Sequence, residues 1–188
     1  MNDFTRRVFD EETGRLRLLR IGIFDIETTG LEAYFDEMIC GCIVEPNGTM
    51  RTFRIGQDND KELVKAYINA LNEYDLLVGW YSSGFDFRFL NTRALIHNLK
   101  PPERNFRRDL CFVSRGNLQL RNNKLATVNQ SLFGNSSKTY IYPKARHAAI
   151  RREKWAIDFY VNHCRRDVWD TLRTYRKFTP LLGKLKRQ

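Results

Sequence analysis

The sequence predicts an α/β domain with a mixed central β-sheet flanked by α-helices, and three observations carry that prediction. Short apolar runs bounded by turn residues come first, a helical stretch then crosses to a further apolar run, and a long amphipathic helix closes the chain. With 188 residues, 42% of them hydrophobic and 13% aromatic, the chain has material for one substantial core, so a single domain over residues 1–188 is expected.

Residues 6–19 carry apolar stretches on either side of a polar turn ending at Gly14, the pattern of a small hairpin or irregular arm. Residues 20–26 (RIGIFDI) form a short apolar run closed by Thr-Thr-Gly, which marks a buried central strand. Two further strands are expected over residues 38–44 and 50–55, joined by Glu45-Pro46-Asn47-Gly48, whose Asn-Gly pair supplies the positive φ angles of a tight hairpin. Over residues 59–72, Leu63, Val64, Tyr67, Ile68 and Leu71 recur at helical spacing, and the run DLLVGW that follows is another buried strand. Residues 85–98 are expected to be helical, 108–113 a short edge strand, and 125–133 a short helix. Residues 134–150 lack periodicity and are expected to form an exposed loop. The final helix, over residues 152–178, aligns Tyr160, Cys164, Val168, Leu172 and Tyr175 in one stripe, and Pro180 ends it.

Thirty-two Lys and Arg stand against 22 Asp and Glu, a formal charge of +10 that favours a polyanionic partner, nucleic acid first, although basic charge also serves solubility alone. No apolar run is long enough to span a bilayer and the N-terminus is charged, so the expectation is no membrane partner and an intracellular, cytoplasmic protein in a bacterial, archaeal or viral setting. Cys40, Cys42, Cys111 and Cys164 show no CxxC pairing and are expected to be reduced core residues.

Against this background some carboxylates stand out. Asp25 and Glu27 are two apart on a strand, so both point from one face of an otherwise apolar segment. Like charges that close repel, and a bridging divalent cation compensates most economically, while a solvated strand end is the plainer alternative. Asp86 follows the second buried strand at a small-residue turn, where an ordinary helix N-terminal carboxylate also belongs. His163 and Asp167, at i and i+4 on the last helix, share the face bordering its apolar stripe, where a surface His-Asp pair is the alternative. The combination of all three favours a site.

The segments FDIETTGL, GWYSSGFDFRFL and HCRRDVWDTL resemble, in order and interval, the three exonuclease motifs of the DEDD 3′-to-5′ exonuclease superfamily, most nearly the proofreading exonuclease domain of family B DNA polymerases in free-standing form. The resemblance spans most of the chain, from about Arg20 to Phe178. It implies an RNase H-like fold and a hydrolase that removes nucleoside monophosphates from single-stranded DNA with two divalent metal ions, Mg²⁺ or Mn²⁺. By position Asp25, Glu27, Asp86 and Asp167 match the metal-binding carboxylates, with Asp25 bridging the ions. Thr28, Thr29 and Leu31 match the stretch that cradles the terminal nucleotide.

The third motif departs from the pattern. Family B domains have Tyr, three residues, then Asp, and the other branch has His, four residues, then Asp; here His163 precedes Asp167 at the spacing of the tyrosine branch. His163 is therefore expected at the tyrosine position, acting on the attacking water as general base when neutral. Tyr81 stands where family B domains commonly carry Asn. Trp80, Tyr81 and Phe85 offer aromatic faces for unpaired bases, or belong to the core. Lys138, Lys144, Arg146, Arg151 and Arg152, near Tyr140 and Tyr142, suit either a strand-guiding surface or a solvated loop. His97 and His147 have no ligand spacing and receive no role, and Asp170 is a reserve ligand one turn beyond Asp167. The resemblance further implies DNA replication or repair and a DNA polymerase or replication protein as partner. The competing expectations are a 3′-to-5′ exoribonuclease with the same metal chemistry, and a nucleic-acid-binding docking module that does not hydrolyse.

Overall fold

A five-stranded sheet of order β5 (Met50–Arg54), β4 (Met38–Val44), β3 (Ile21–Thr28), β6 (Leu76–Gly79), β7 (Phe106–Asp109) forms the centre of the protein. The computed structural model describes residues 3–10, 14–103, 105–137 and 139–183; the tip of the N-terminal hairpin and Lys138 lie outside the described residues. β3, β4 and β5 form an antiparallel meander; the expected hairpin joins β4 to β5, but of its Asn-Gly pair only Gly48 takes a positive φ, +96. The chain then crosses through α1 (Lys61–Asn72) to β6 (Leu76–Gly79), and through α2 (Asp86–Ile96) to β7 (Phe106–Asp109); β6 and β7 run parallel to β3. β1 (Arg7–Asp10) and β2 (Arg15–Leu18) pair as a separate hairpin. Arg17 ties this arm to the sheet through Asp75, and buried Asp3 ties it through Arg108 and the Tyr175 hydroxyl.

α6 (Lys154–Lys177) lies against β3 and β4, burying the expected stripe of Tyr160, Cys164, Val168, Leu172 and Tyr175. Alternation along β4 turns Cys40 and Cys42 toward α6 and Gly41 away from it. On that opposite side the Tyr67 ring of α1 rests on Gly41, where an added Cβ would come within 2.5 Å of the ring. The Tyr67 hydroxyl reaches the carbonyl oxygens of Asp25 and Cys42 at 2.9 and 3.0 Å, so an ordered polar contact braces the strand pair that carries Asp25. All four cysteines are free and buried, as expected.

Two segments differ from the sequence reading. The edge strand ends at Asp109, and α3 (Leu110–Asn117) begins there because the Asp109 carboxylate accepts the Cys111 N–H as an N-cap. Residues 134–150 do not form a loop throughout: α5 (Pro143–Ile150) occupies their end, with proline in its first turn and a buried face of Ala145, Ala148 and Ala149. α4 (Leu125–Phe133) falls where its pattern placed it, ended by Gly134 in the left-handed conformation. Among the described residues no helix is long and apolar enough to cross a membrane.

His97, given no role from sequence, belongs to a buried ion network. Its Nε2 lies 2.6 Å from Asp60, whose carboxylate also takes Arg93 and the Met38 N–H, while Arg93 reaches the Ala33 carbonyl. This network fastens the start of β4 and the loop before it to α1 and α2. Those hydrogen bonds hold the Asp60 carboxyl below its ordinary range although burial opposes them.

Candidate active site

β3, β6 and β7 are parallel, so their carboxyl ends open on one side of the sheet, the place where α/β sheets gather functional groups. Asp25 and Glu27 lie in the second half of β3, and Asp86 begins α2 just after the turn leaving β6. Asp25 pairs with Cys42 and Glu27 with Cys40 across the β3-β4 ladder, which directs both carboxylates to the face that α6 covers. There the Cys164 thiol donates to the Asp25 carbonyl at 3.4 Å and fixes the register of α6 over the strand.

That register brings His163 and Asp167 to the strand carboxylates. His163 Nε2 lies 3.5 Å from Glu27 Oε1 and 3.8 Å from Asp167 Oδ2, and ligand atoms of Glu27, His163 and Asp167 all fall within 4.8 Å of one another. Asp86 Oδ1 accepts the Ile26 N–H at 3.3 Å, from the backbone between Asp25 and Glu27. The expected carboxylates and the histidine thus come together from three elements far apart in sequence.

Burial pushes the Asp25 carboxyl well above its usual range, and the negative charges of Asp86, Glu27 and Asp167 push it further. Burial also lifts Asp86 to about 7, against backbone N–H bonds that favour its charge, with Asp109 adding to the rise. Carboxylates so crowded either hold a proton or, when ionised, are best stabilised by a cation among them. Their oxygens form a hard donor set, with the imidazole nitrogen of His163 beside it, so the residues present fit a divalent metal ion.

The His163 ring is held from behind. Thr139 Oγ1 lies 2.5 Å from Nδ1, which leaves Nε2 facing the carboxylates. For Nε2 to accept a proton, Nδ1 must carry the hydrogen and donate it to Thr139. Asp170 faces elsewhere: its carboxylate accepts the Ser137 N–H and pairs with Arg173, so it does not join the cluster.

A cleft of about 300 Å³ adjoins the carboxylates, lined in part by Ile26, Glu27, Thr28, Leu31, Phe85 and Tyr160. Thr28 Oγ1 donates to the Gly30 carbonyl, and the buried Thr29 hydroxyl donates to Asp36 and accepts from the Glu37 N–H, so both hydroxyls shape the loop that forms the cleft wall. Leu31 is 83% exposed on that wall and Phe85 packs against Phe89 beneath it. Tyr81 stands outside this lining, and Trp80 donates to the Asn123 carbonyl. Of the basic residues near Tyr140 and Tyr142, Arg146 reaches the cleft, Arg151 pairs with Glu153 and Arg152 with Glu37. Sequence reasoning missed Thr139 and Asp109. The latter accepts the N–H groups of Tyr81 and Ser83 at 2.9 and 3.0 Å and holds the turn that leads to Asp86. A signal existed for Asp109 alone, as a cap residue before an apolar run.

A family model described as RNase_H superfamily matches residues 23–179, a span that takes in all of these carboxylates. No curated protein sequence matches the chain. Solved structures with a similar fold include the family B DNA polymerase from the hyperthermophilic archaeon Pyrobaculum calidifontis, at a TM-score of 0.71 and 19% identity, over 89% of this chain and 25% of that one. The chain therefore spans about a quarter of the polymerase's length, and this likeness concerns the fold.

Proposed function

The chain belongs to the RNase H superfamily, and from that premise we propose that residues 1–188 form a 3′-to-5′ exonuclease domain that hydrolyses the terminal phosphodiester of single-stranded DNA and releases nucleoside monophosphates. The observation that carries the reading is the convergence of Glu27, His163 and Asp167 beside an open cleft, with Asp86 on the Ile26 N–H and Asp25 near enough to feel the charges of Asp86, Glu27 and Asp167. These carboxylates would hold two Mg²⁺ or Mn²⁺ ions. Such ions, when bound, acidify water and neutralise charge on the phosphate and the departing 3′ oxygen.

The remaining work falls to the chain itself. Glu27 and His163 bound the space where a water would stand, and His163 Nε2 is the atom that takes its proton once Thr139 fixes the tautomer. Leu31 and Phe85 offer apolar surface to the terminal base, and the loop held by Thr28 and Thr29 sets the cleft width. Partnership with a DNA polymerase or replication protein, in replication or repair, belongs to the same proposal.

Release of label from 3′-labelled and 5′-labelled single-stranded DNA and RNA, with Mg²⁺, with Mn²⁺ and with chelator, tests it. The expected result is metal-dependent mononucleotide release from the 3′ end of DNA, lost in Asp25→Ala. Faster trimming of RNA would convert the reading to an exoribonuclease, and a strand bound but left intact would make the chain a docking module. Thr139→Val tests the histidine's part: kcat should fall about 10–100-fold with KM nearly constant, because the imidazole loses its orienting partner. A wild-type kcat and pH profile in that variant would remove His163 from the proton transfer.

A further inference from the structure

We propose that Phe112 and Arg115 of α3, together with Tyr81, form a stacking platform for an unpaired base of the nucleic acid strand, separate from the cleft beside the carboxylates. The proposal deepens the exonuclease reading by naming what holds the strand away from its end. Tyr81 and Phe112 are 42% and 49% exposed, with ring centroids 6.0 Å apart, and the Arg115 guanidinium carbon sits 5.4 and 5.3 Å from the two centroids. Two large aromatic faces in water beside one exposed cation form a surface of mixed character. A nucleotide matches both parts, since its base stacks on a ring and its phosphate pairs with the guanidinium.

The backbone is arranged to keep this surface in place. Tyr81 has φ +59, the left-handed region that a tyrosine enters only under constraint. The constraint is Asp109, whose carboxylate accepts the Tyr81 and Ser83 N–H groups on one side and caps α3 through the Cys111 N–H on the other. One carboxylate thus orients both the turn bearing Tyr81 and the helix bearing Phe112 and Arg115. Gly84 completes the seat: a Cβ there would stand 2.3 Å from Tyr81 Cζ, so the ring lies flat on the residue two before Asp86. The platform is thus coupled by backbone to the turn that delivers Asp86.

The occupant follows from charge and shape. A protein of net charge +10 attracts polyanions, and the guanidinium beside the rings adds a phosphate partner to their stacking faces, which selects a nucleic acid strand. Within a blunt duplex the base faces are already stacked on one another, so the platform serves only an unpaired strand.

Binding of a fluorescent single-stranded oligonucleotide in chelator reads this without hydrolysis, with thermal melting to verify the fold of each variant. Phe112→Ala should weaken single-strand binding about ten-fold, Phe112→Trp should retain it, and Arg115→Ala should weaken it several-fold. A blunt duplex of equal length should lose less than about two-fold in Phe112→Ala, so the preference for single strands shrinks. Single-strand affinity unchanged in Phe112→Ala, equal losses for strand and duplex, or a Phe112→Trp variant as weak as Phe112→Ala would each overturn the proposal. A chain that never hydrolyses DNA, yet shows the Phe112 effect, would sink the exonuclease reading and leave the platform standing.

Discussion

Asp25→Asn is expected to remove hydrolysis while making the cation-free protein more stable. Asp25 lies among Asp86, Glu27 and Asp167, and both its burial and their charges raise its pKa. In the absence of a cation the ionised carboxylate is a liability to the fold, and asparagine keeps its volume without its charge. Relief of that burial and repulsion is expected to raise the Tm of the cation-free protein. The same carboxylate is the proposed bridge between two ions, and losing their contribution of several kcal/mol to the transition state lowers kcat by at least about 10³-fold. Activity with Mg²⁺ and melting in chelator at pH 8 separate the two effects in one variant. Were stability and activity to fall together, Asp25 would be holding the strand rather than a cation.

This opposition between stability and function also explains which parts of the molecule were legible in sequence. β3 could be read because an apolar run interrupted by Asp25 and Glu27 violates its own pattern, and alternation fixes the face the two share. α6 could be read because its buried stripe consists of large residues at strict helical spacing, which also set His163 and Asp167 on a common side. α5 escaped because its buried face is Ala145, Ala148 and Ala149, side chains too small to give an apolar signal among lysine, arginine and tyrosine. Thr139 and Asp109 escaped for another reason. Each acts on a partner that only the tertiary fold supplies, His163 being 24 residues from Thr139 and Ser83 being 26 from Asp109. His97 likewise gained its role from Asp60, on a different helix boundary. Residues that carry the proposed chemistry were visible as anomalies, whereas residues that position them look ordinary until the chain closes.

In chelator, the stability of the native protein is expected to fall as pH rises from about 4 to about 7, the reverse of the usual acid response. Burial raises Asp86 from 3.8 to about 7. The folded chain therefore keeps this proton to near neutrality while the unfolded chain releases it near 4, so the folded state binds more protons throughout the interval. Stability from this group is complete below the unfolded pKa and is lost as pH passes through the folded one, at a cost of up to about 4 kcal/mol. Asp60 and Asp75, held low by their arginine partners and backbone N–H bonds, have the opposite sign and act at still lower pH, beneath this window. Divalent ions should reverse the decline, because they bind the ionised carboxylates of the folded chain alone, and their stabilisation should grow with both pH and concentration. Urea unfolding from pH 4.5 to 8.5, with chelator and with Mg²⁺, for the native chain and Asp86→Asn, measures each term. The variant should lose the decline in chelator and most of the gain from Mg²⁺. A chelated native protein whose stability stays flat or climbs across the window would show that the carboxylates reach solvent and do not need a cation between them. Persistence of the decline in Asp86→Asn would move its origin to another group, Asp25 first.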